Sequence, residues 1–132
     1  MSATVTHSDS AKNAATNAVT ALLGASSKLV FNPTGGSVAS PGAALATLPF
    51  TTPNAFGAAT GGIATAAAIT SDSNAAGGGT AAFATFQTSA SAAIVRCAVA
   101  ASGSDINMTN GLVINAGDIV SCSSLTYAAL SQ

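Results

Sequence analysis

Ile106-Asn107-Met108-Thr109, Asn110-Gly111, Leu112-Val113-Ile114, Asn115-Ala116-Gly117-Asp118 and Ile119-Val120-Ser121-Cys122-Ser123-Ser124-Leu125-Thr126-Tyr127 follow one another without a break. β-prone runs here alternate with turn chemistry. Asn-Gly supplies the positive φ of a two-residue hairpin, and Asn-Ala-Gly-Asp is a second turn. Nothing in this stretch has the i, i+3, i+4 spacing of a helix. The same grammar extends backward through most of the chain, so this stretch sets the fold class.

Upstream, Lys28–Asn32 reads as a short strand closed by Pro33-Thr34-Gly35-Gly36. Residues 44–50 alternate Leu45 with Thr47, and Pro49 places that run at a sheet edge or a strand end. Pro53-Asn54 is a turn, and Gly61-Gly62 is a hairpin candidate. Residues 63–70 then put Ile63, Thr65, Ala67 and Ile69 on one face. Residues 74–79 form a glycine-rich loop, residues 80–88 place Phe83 and Phe86 on opposite faces, and residues 94–100 form another strand.

Before Ser26 the period changes. Ala11, Ala14, Ala15, Ala18, Val19, Leu22 and Leu23 mark a helical face over residues 9–24. Ser8, Asp9 or Ser10 caps its start, and Gly24 ends it. The stripe is mostly alanine, so it buries little area and must dock on something. Leu22 and Leu23 are the expected docking anchors, on the chain's own β-domain or on a neighbour. The expected architecture is therefore mainly β: an antiparallel β-sandwich or jelly-roll-like barrel with one short N-terminal α-helix. Residues 1–26 form an N-terminal arm and helix, and residues 27–132 the β-sandwich domain.

Composition narrows the function. Only 5% of residues are charged, three basic (Lys12, Lys28, Arg96) and four aspartates (Asp9, Asp72, Asp105, Asp118), for a net charge of −1. Ala, Ser, Thr and Gly make roughly three-fifths of the chain, far above ordinary usage. Such a surface does little to repel another copy, and few charges guard its strand edges. It suits a protein packed into a lattice.

The same scarcity removes most acid–base chemistry. His7 is the one imidazole and precedes the helix, and no serine sits in a G-x-S-x-G elbow. Asp72, Asp105 and Asp118 each fall in a turn, where aspartate stabilises the backbone locally. The glycine clusters do not match a phosphate-binding loop, and three scattered cations cannot neutralise a nucleic-acid backbone. Cys97 and Cys122 read as reduced thiols serving as small hydrophobes, with a disulfide between adjacent strands as the alternative. Two cysteines and a distant His7 do not make a zinc site. Residues 107–109 fit a glycosylation sequon, which is read as chance because residues 1–7 lack a signal peptide's basic and apolar regions. Residues 92–101 are too short to span a bilayer and carry Arg96. The expectation is a non-enzyme with no cofactor, no metal, no membrane, no nucleic acid and no small-molecule substrate.

From Leu45 to Tyr127 the chain resembles the small uncharacterised structural (virion) proteins of tailed bacteriophages and prophages. The resemblance is carried by Leu45-Ala46-Thr47-Leu48-Pro49-Phe50, Ala55-Phe56-Gly57-Ala58-Ala59 and Gly62-Ile63-Ala64-Thr65-Ala66. It continues in Ala68-Ile69-Thr70-Ser71-Asp72-Ser73, Gly79-Thr80-Ala81, Ser102-Gly103-Ser104-Asp105-Ile106-Asn107-Met108 and Ile114-Asn115-Ala116-Gly117-Asp118-Ile119-Val120-Ser121. Those relatives tend to carry Trp or a charge near Phe83–Phe86 and a charged turn at residues 88–93, which implies a different contact partner here. The resemblance implies a protein of the virion, assembled in the host bacterial cytoplasm, with no enzymatic site to carry over. Its expected partners are the major capsid protein or other virion proteins and further copies of itself. A capsid decoration (cement) protein is the favoured role; a tail, neck or fibre component binding a tail partner or host receptor is the alternative.

Overall fold

The computed structural model describes residues 5–108 and 111–130. It is mainly β, with one N-terminal helix, a mixed five-strand sheet curled into a half-barrel, and two small antiparallel sheets. The helix α1 spans Asp9–Ala21, and the Ser8 side chain caps it by accepting from Ala11 N at 3.2 Å.

The large sheet contains β1 (Lys28–Asn32), β2 (Ala46–Pro49), β5 (Phe83–Gln87), β6 (Ala93–Ala100) and β7 (Ile106–Asn107), in the order β2-β1-β5-β6-β7. The Pro49 strand is at the edge, where a missing N–H costs no ladder bond. All pairs are antiparallel except β6 with β7, where Val99 pairs with Ile106 in parallel. The small sheets pair β3 (Ala64–Thr65) with β9 (Thr126–Tyr127) and β4 (Gly79–Thr80) with β8 (Val113–Ile114).

Register sorts the side chains of the large sheet. Leu48, Leu29, Phe86 and Val95 line up across one face, as do Ala46, Phe31, Ala84 and Cys97. This is the core face. Phe50, Phe56 and Tyr127 gather around Phe86 with ring centroids between 5.5 and 6.0 Å, the only large aromatic cluster a chain this poor in aromatics can build. Tilted and edge-on pairs of this kind add about 0.5–1.5 kcal/mol each beyond their burial.

The outer face carries Lys28, Val30, Asn32, Phe83, Thr85, Gln87 and Arg96. Its centre is polar yet buried. Gln87 Nε2 donates to Thr85 Oγ1 at 2.8 Å, the Thr85 hydroxyl donates to Asn32 Oδ1 at 3.1 Å, and Asn32 Nδ2 donates to Ala43 O at 2.9 Å. A relay satisfied at each step avoids the penalty of an unmatched buried polar group. The acceptor at its end belongs to residues 33–45, which cross this face and bring Gly36 against the Phe83 ring. Phe83 and Phe86 thus lie on opposite faces, as their odd spacing requires.

One pattern differs from the sequence expectation. Over residues 63–66 the buried parity is Ala64, at 0% exposure, while Ile63 stands 50% exposed. The Gly61-Gly62 turn sets that register. Both glycines have positive φ (59° and 84°), and Thr60 and Ile63 exchange both backbone hydrogen bonds across them. The tight turn brings α1 so close that a Cβ on Gly62 would lie 2.8 Å from Lys12 Cβ; a large side chain does not fit beneath the helix there. The Asn110 half of the Asn110-Gly111 hairpin signal lies outside the described residues, as does Thr109 of the sequon.

Candidate functional site

The helix docks through polar side chains. Thr16, fully buried, donates its hydroxyl to Gly62 O at 2.7 Å and accepts from Ala129 N at 3.1 Å. Asn13 Oδ1 accepts from Gly62 N at 2.7 Å, and Asn17 Oδ1 accepts from Ala59 N at 2.9 Å. One helix face therefore binds both the Gly61-Gly62 hairpin and the C-terminal segment. The alanine stripe does not hold this position: Ala11, Ala14 and Ala18 are exposed. Alanine offers little area, whereas the backbone groups of the hairpin require hydrogen-bond partners once covered.

The expected anchors separate. Leu23 is 2% exposed and joins the core cluster, whereas Leu22 is 63% exposed. Within one chain Leu23 is the anchor and Leu22 is not. The helical path ends at Leu22, and Gly24 at φ 68° turns the chain toward β1, which leaves only one of two adjacent side chains inward.

A groove of about 660 Å³ is built mostly by the last quarter of the chain. Residues 105–108, 111, 113–114 and 118–126 line it, together with Phe31 from the core face of β1. Two aspartates border it. Asp105 Oδ2 accepts from Ala98 N of β6 at 3.0 Å, tying its loop to that strand, and Asp118 Oδ2 accepts from Asn115 N at 2.8 Å, closing its turn. Val113 and Ile119, also in its lining, are 61% and 75% exposed. Asp72 is committed elsewhere, accepting from Thr47 N at 2.9 Å and Asn74 N at 3.0 Å. A smaller cleft of about 180 Å³ lies between the end of α1 and residues 53–58.

Both cysteines are free thiols. Burial, reinforced by the nearby Asp105 carboxylate, pushes the Cys97 thiol up to about 12. Burial also raises Cys122, whose thiol donates to Ser124 O at 3.3 Å. Tyr127 is raised too, first by burial and then by Cys97. All three shifts favour the neutral, unreactive form. Among the described residues no three His, Cys, Asp or Glu side chains converge as metal ligands would, and no helix is long and apolar enough to cross a membrane.

Sequence reasoning overlooked two arrangements. The polar helix face was visible in the spacing of Asn13, Thr16, Asn17 and Thr20, which is i, i+3, i+4, i+7. The pairing of Arg96 with Phe83, guanidinium carbon 4.2 Å from the ring centroid, had no local signal because the partners are on different strands. No protein family, curated protein or solved structure gives a significant match to this chain.

Proposed function

We propose that this chain is a structural protein of a tailed-bacteriophage virion, acting as a capsid decoration (cement) protein that bridges neighbouring capsomers. The observation carrying this reading is a surface with almost no charge and with large apolar side chains left in the open. Leu22, Ile63, Val113 and Ile119 are each at least half exposed, while only seven residues of the chain are formally charged. Net charge and mixed surface charge are what keep freely diffusing domains apart. Adhesion is then the whole mechanism: weak contacts, repeated over a lattice and bridging several partners, sum to firm attachment. The resemblance of residues 45–127 to phage virion proteins supplies the setting.

Quantitative mass spectrometry of purified particles tests the reading. Hundreds of copies per particle, bound to assembled heads, are expected of a cement protein, against about a dozen or fewer for a neck or tail-tip part. Absence from purified particles, together with failure of the purified protein to bind capsid shells, overturns it.

A further inference from the structure

We propose that copies of this chain associate head to tail, Lys28 and Arg96, which stay accessible beside the segment of residues 33–45 covering the outer face of one copy, seating against the Asp105 and Asp118 groove of the next. The argument begins with what the few charges already do. Asp9 and Lys12 pair with each other at 3.3 Å. Asp72 spends both oxygens on backbone N–H groups. That leaves two cations and two carboxylates, and the fold collects each sign in one place.

Lys28 and Arg96 share the outer face, since Lys28 pairs with Gln87, and Arg96 with Thr85, across adjacent strands. Asp105 and Asp118 share the groove, which is lined by Phe31 from the opposite, core face. Among the described residues neither cation is ion-paired with either carboxylate, so a second copy is what supplies each with its partner. Charge complementarity selects that occupant.

Both cations are held in place before binding. The Arg96 guanidinium carbon sits 4.2 Å from the Phe83 ring centroid, and Lys28 Nζ donates to Ser91 Oγ at 2.7 Å. Side chains ordered in advance lose less entropy on association. Each surface also offers apolar area beside its charges: Val38, 42% exposed, on the segment crossing the outer face, and Val113 and Ile119 at the groove. Because the two surfaces differ, the contact is heterologous and propagates into rings or arrays. This deepens the virion reading, and rests on it for the setting in which such arrays form.

The test uses the full chain in analytical ultracentrifugation. The basic-face variant Lys28→Gln/Arg96→Gln and the groove variant Asp105→Asn/Asp118→Asn each remove one sign, and asparagine keeps the acceptor oxygen that Ala98 N and Asn115 N need. Wild-type self-association is expected to weaken about tenfold or more between ~0.05 M and ~0.5 M salt. Each variant alone is expected to be monomeric, and Arg96→Lys with its charge retained is expected to associate. An equimolar mixture of the two double variants is expected to stop at dimers, because each supplies the one surface the other lacks. Thermal melts by circular dichroism establish that the variants fold; if they do not, the salt dependence of the wild type decides.

Wild-type-like association of either double variant, salt-insensitive association, or a wild type that stays monomeric at high concentration overturns the proposal. Particles that take up the basic-face variant at full copy number sink this contact while leaving the virion reading intact. Absence of the chain from particles sinks the virion reading, and the mixing experiment still judges the contact.

Discussion

Replacing Thr16 with valine tests the polar docking of the helix most directly. Valine keeps the shape and the β-branch, so the substitution removes a hydroxyl and little else. That hydroxyl sits at 0% exposure between Gly62 O and Ala129 N. Losing two hydrogen bonds costs about 1 kcal/mol each. The two backbone groups left behind are covered by the same helix and add desolvation cost, giving about 2–4 kcal/mol in all. At this chain length that lowers Tm by roughly 6–16 °C. Thr20→Val is the matched control, because its hydroxyl bonds only Asn17 O within the exposed helix, and it is expected to cost no more than about 0.5 kcal/mol. The assay is urea unfolding followed by circular dichroism, with amide exchange over residues 9–21 and 59–62 reporting helix release. A Thr16→Val protein within about 0.5 kcal/mol of wild type, with unchanged exchange, would refute the polar-clamp reasoning.

Leu23→Ala is expected to cost about 2–4 kcal/mol by leaving a cavity, whereas Leu22→Ala is expected to stay within about 0.5 kcal/mol; urea midpoints compare the two. Gly77→Ala is expected to destabilise by more than about 2 kcal/mol, since its φ is +62° and a Cβ would meet the Asn115 carbonyl carbon at 2.2 Å. Gly35→Ala, with positive φ and open space, is expected to cost only about 1 kcal/mol in the same melts. The raised Cys97 pKa also sets a pH window. The folded state holds the thiol proton more tightly than the unfolded chain, so its contribution is complete below about pH 9 and is lost as pH rises toward about 12. Stability is expected to fall in that window by up to about 1.4 kcal/mol per pH unit, with a shallower slope in Cys97→Ala.

The N-terminal helix with its cap among Ser8, Asp9 and Ser10, the strand at Lys28–Asn32, the Pro49 run as a sheet edge or strand end, and the Gly61-Gly62 hairpin were all legible in the sequence; the structure selects Ser8 and the sheet edge. Each depends on interactions within a few residues: a side chain reaching its own helix end, a ring that cannot donate, a glycine free to take positive φ. The opposed placement of Phe83 and Phe86 was legible for the same reason, because strand parity is local. Charge scarcity was likewise readable from composition alone.

Which helix face docks was not legible. Choosing Asn13, Thr16 and Asn17 over the alanine stripe required the Gly61-Gly62 hairpin and Ala129 to arrive with unsatisfied backbone groups, from positions far along the chain. The separation of Leu22 from Leu23 follows from the exit angle at Gly24, and the parity of Ala64 from the register of the Gly61-Gly62 turn packed against the helix. The gathering of Lys28 with Arg96 on one face, and of Asp105 with Asp118 around one groove, depends on strand order and loop closure. Local residue preferences carry a chain to its elements. Which elements meet, and so which few charges face outward together, is decided only when long-range pairing and backbone hydrogen-bond demand are met at once.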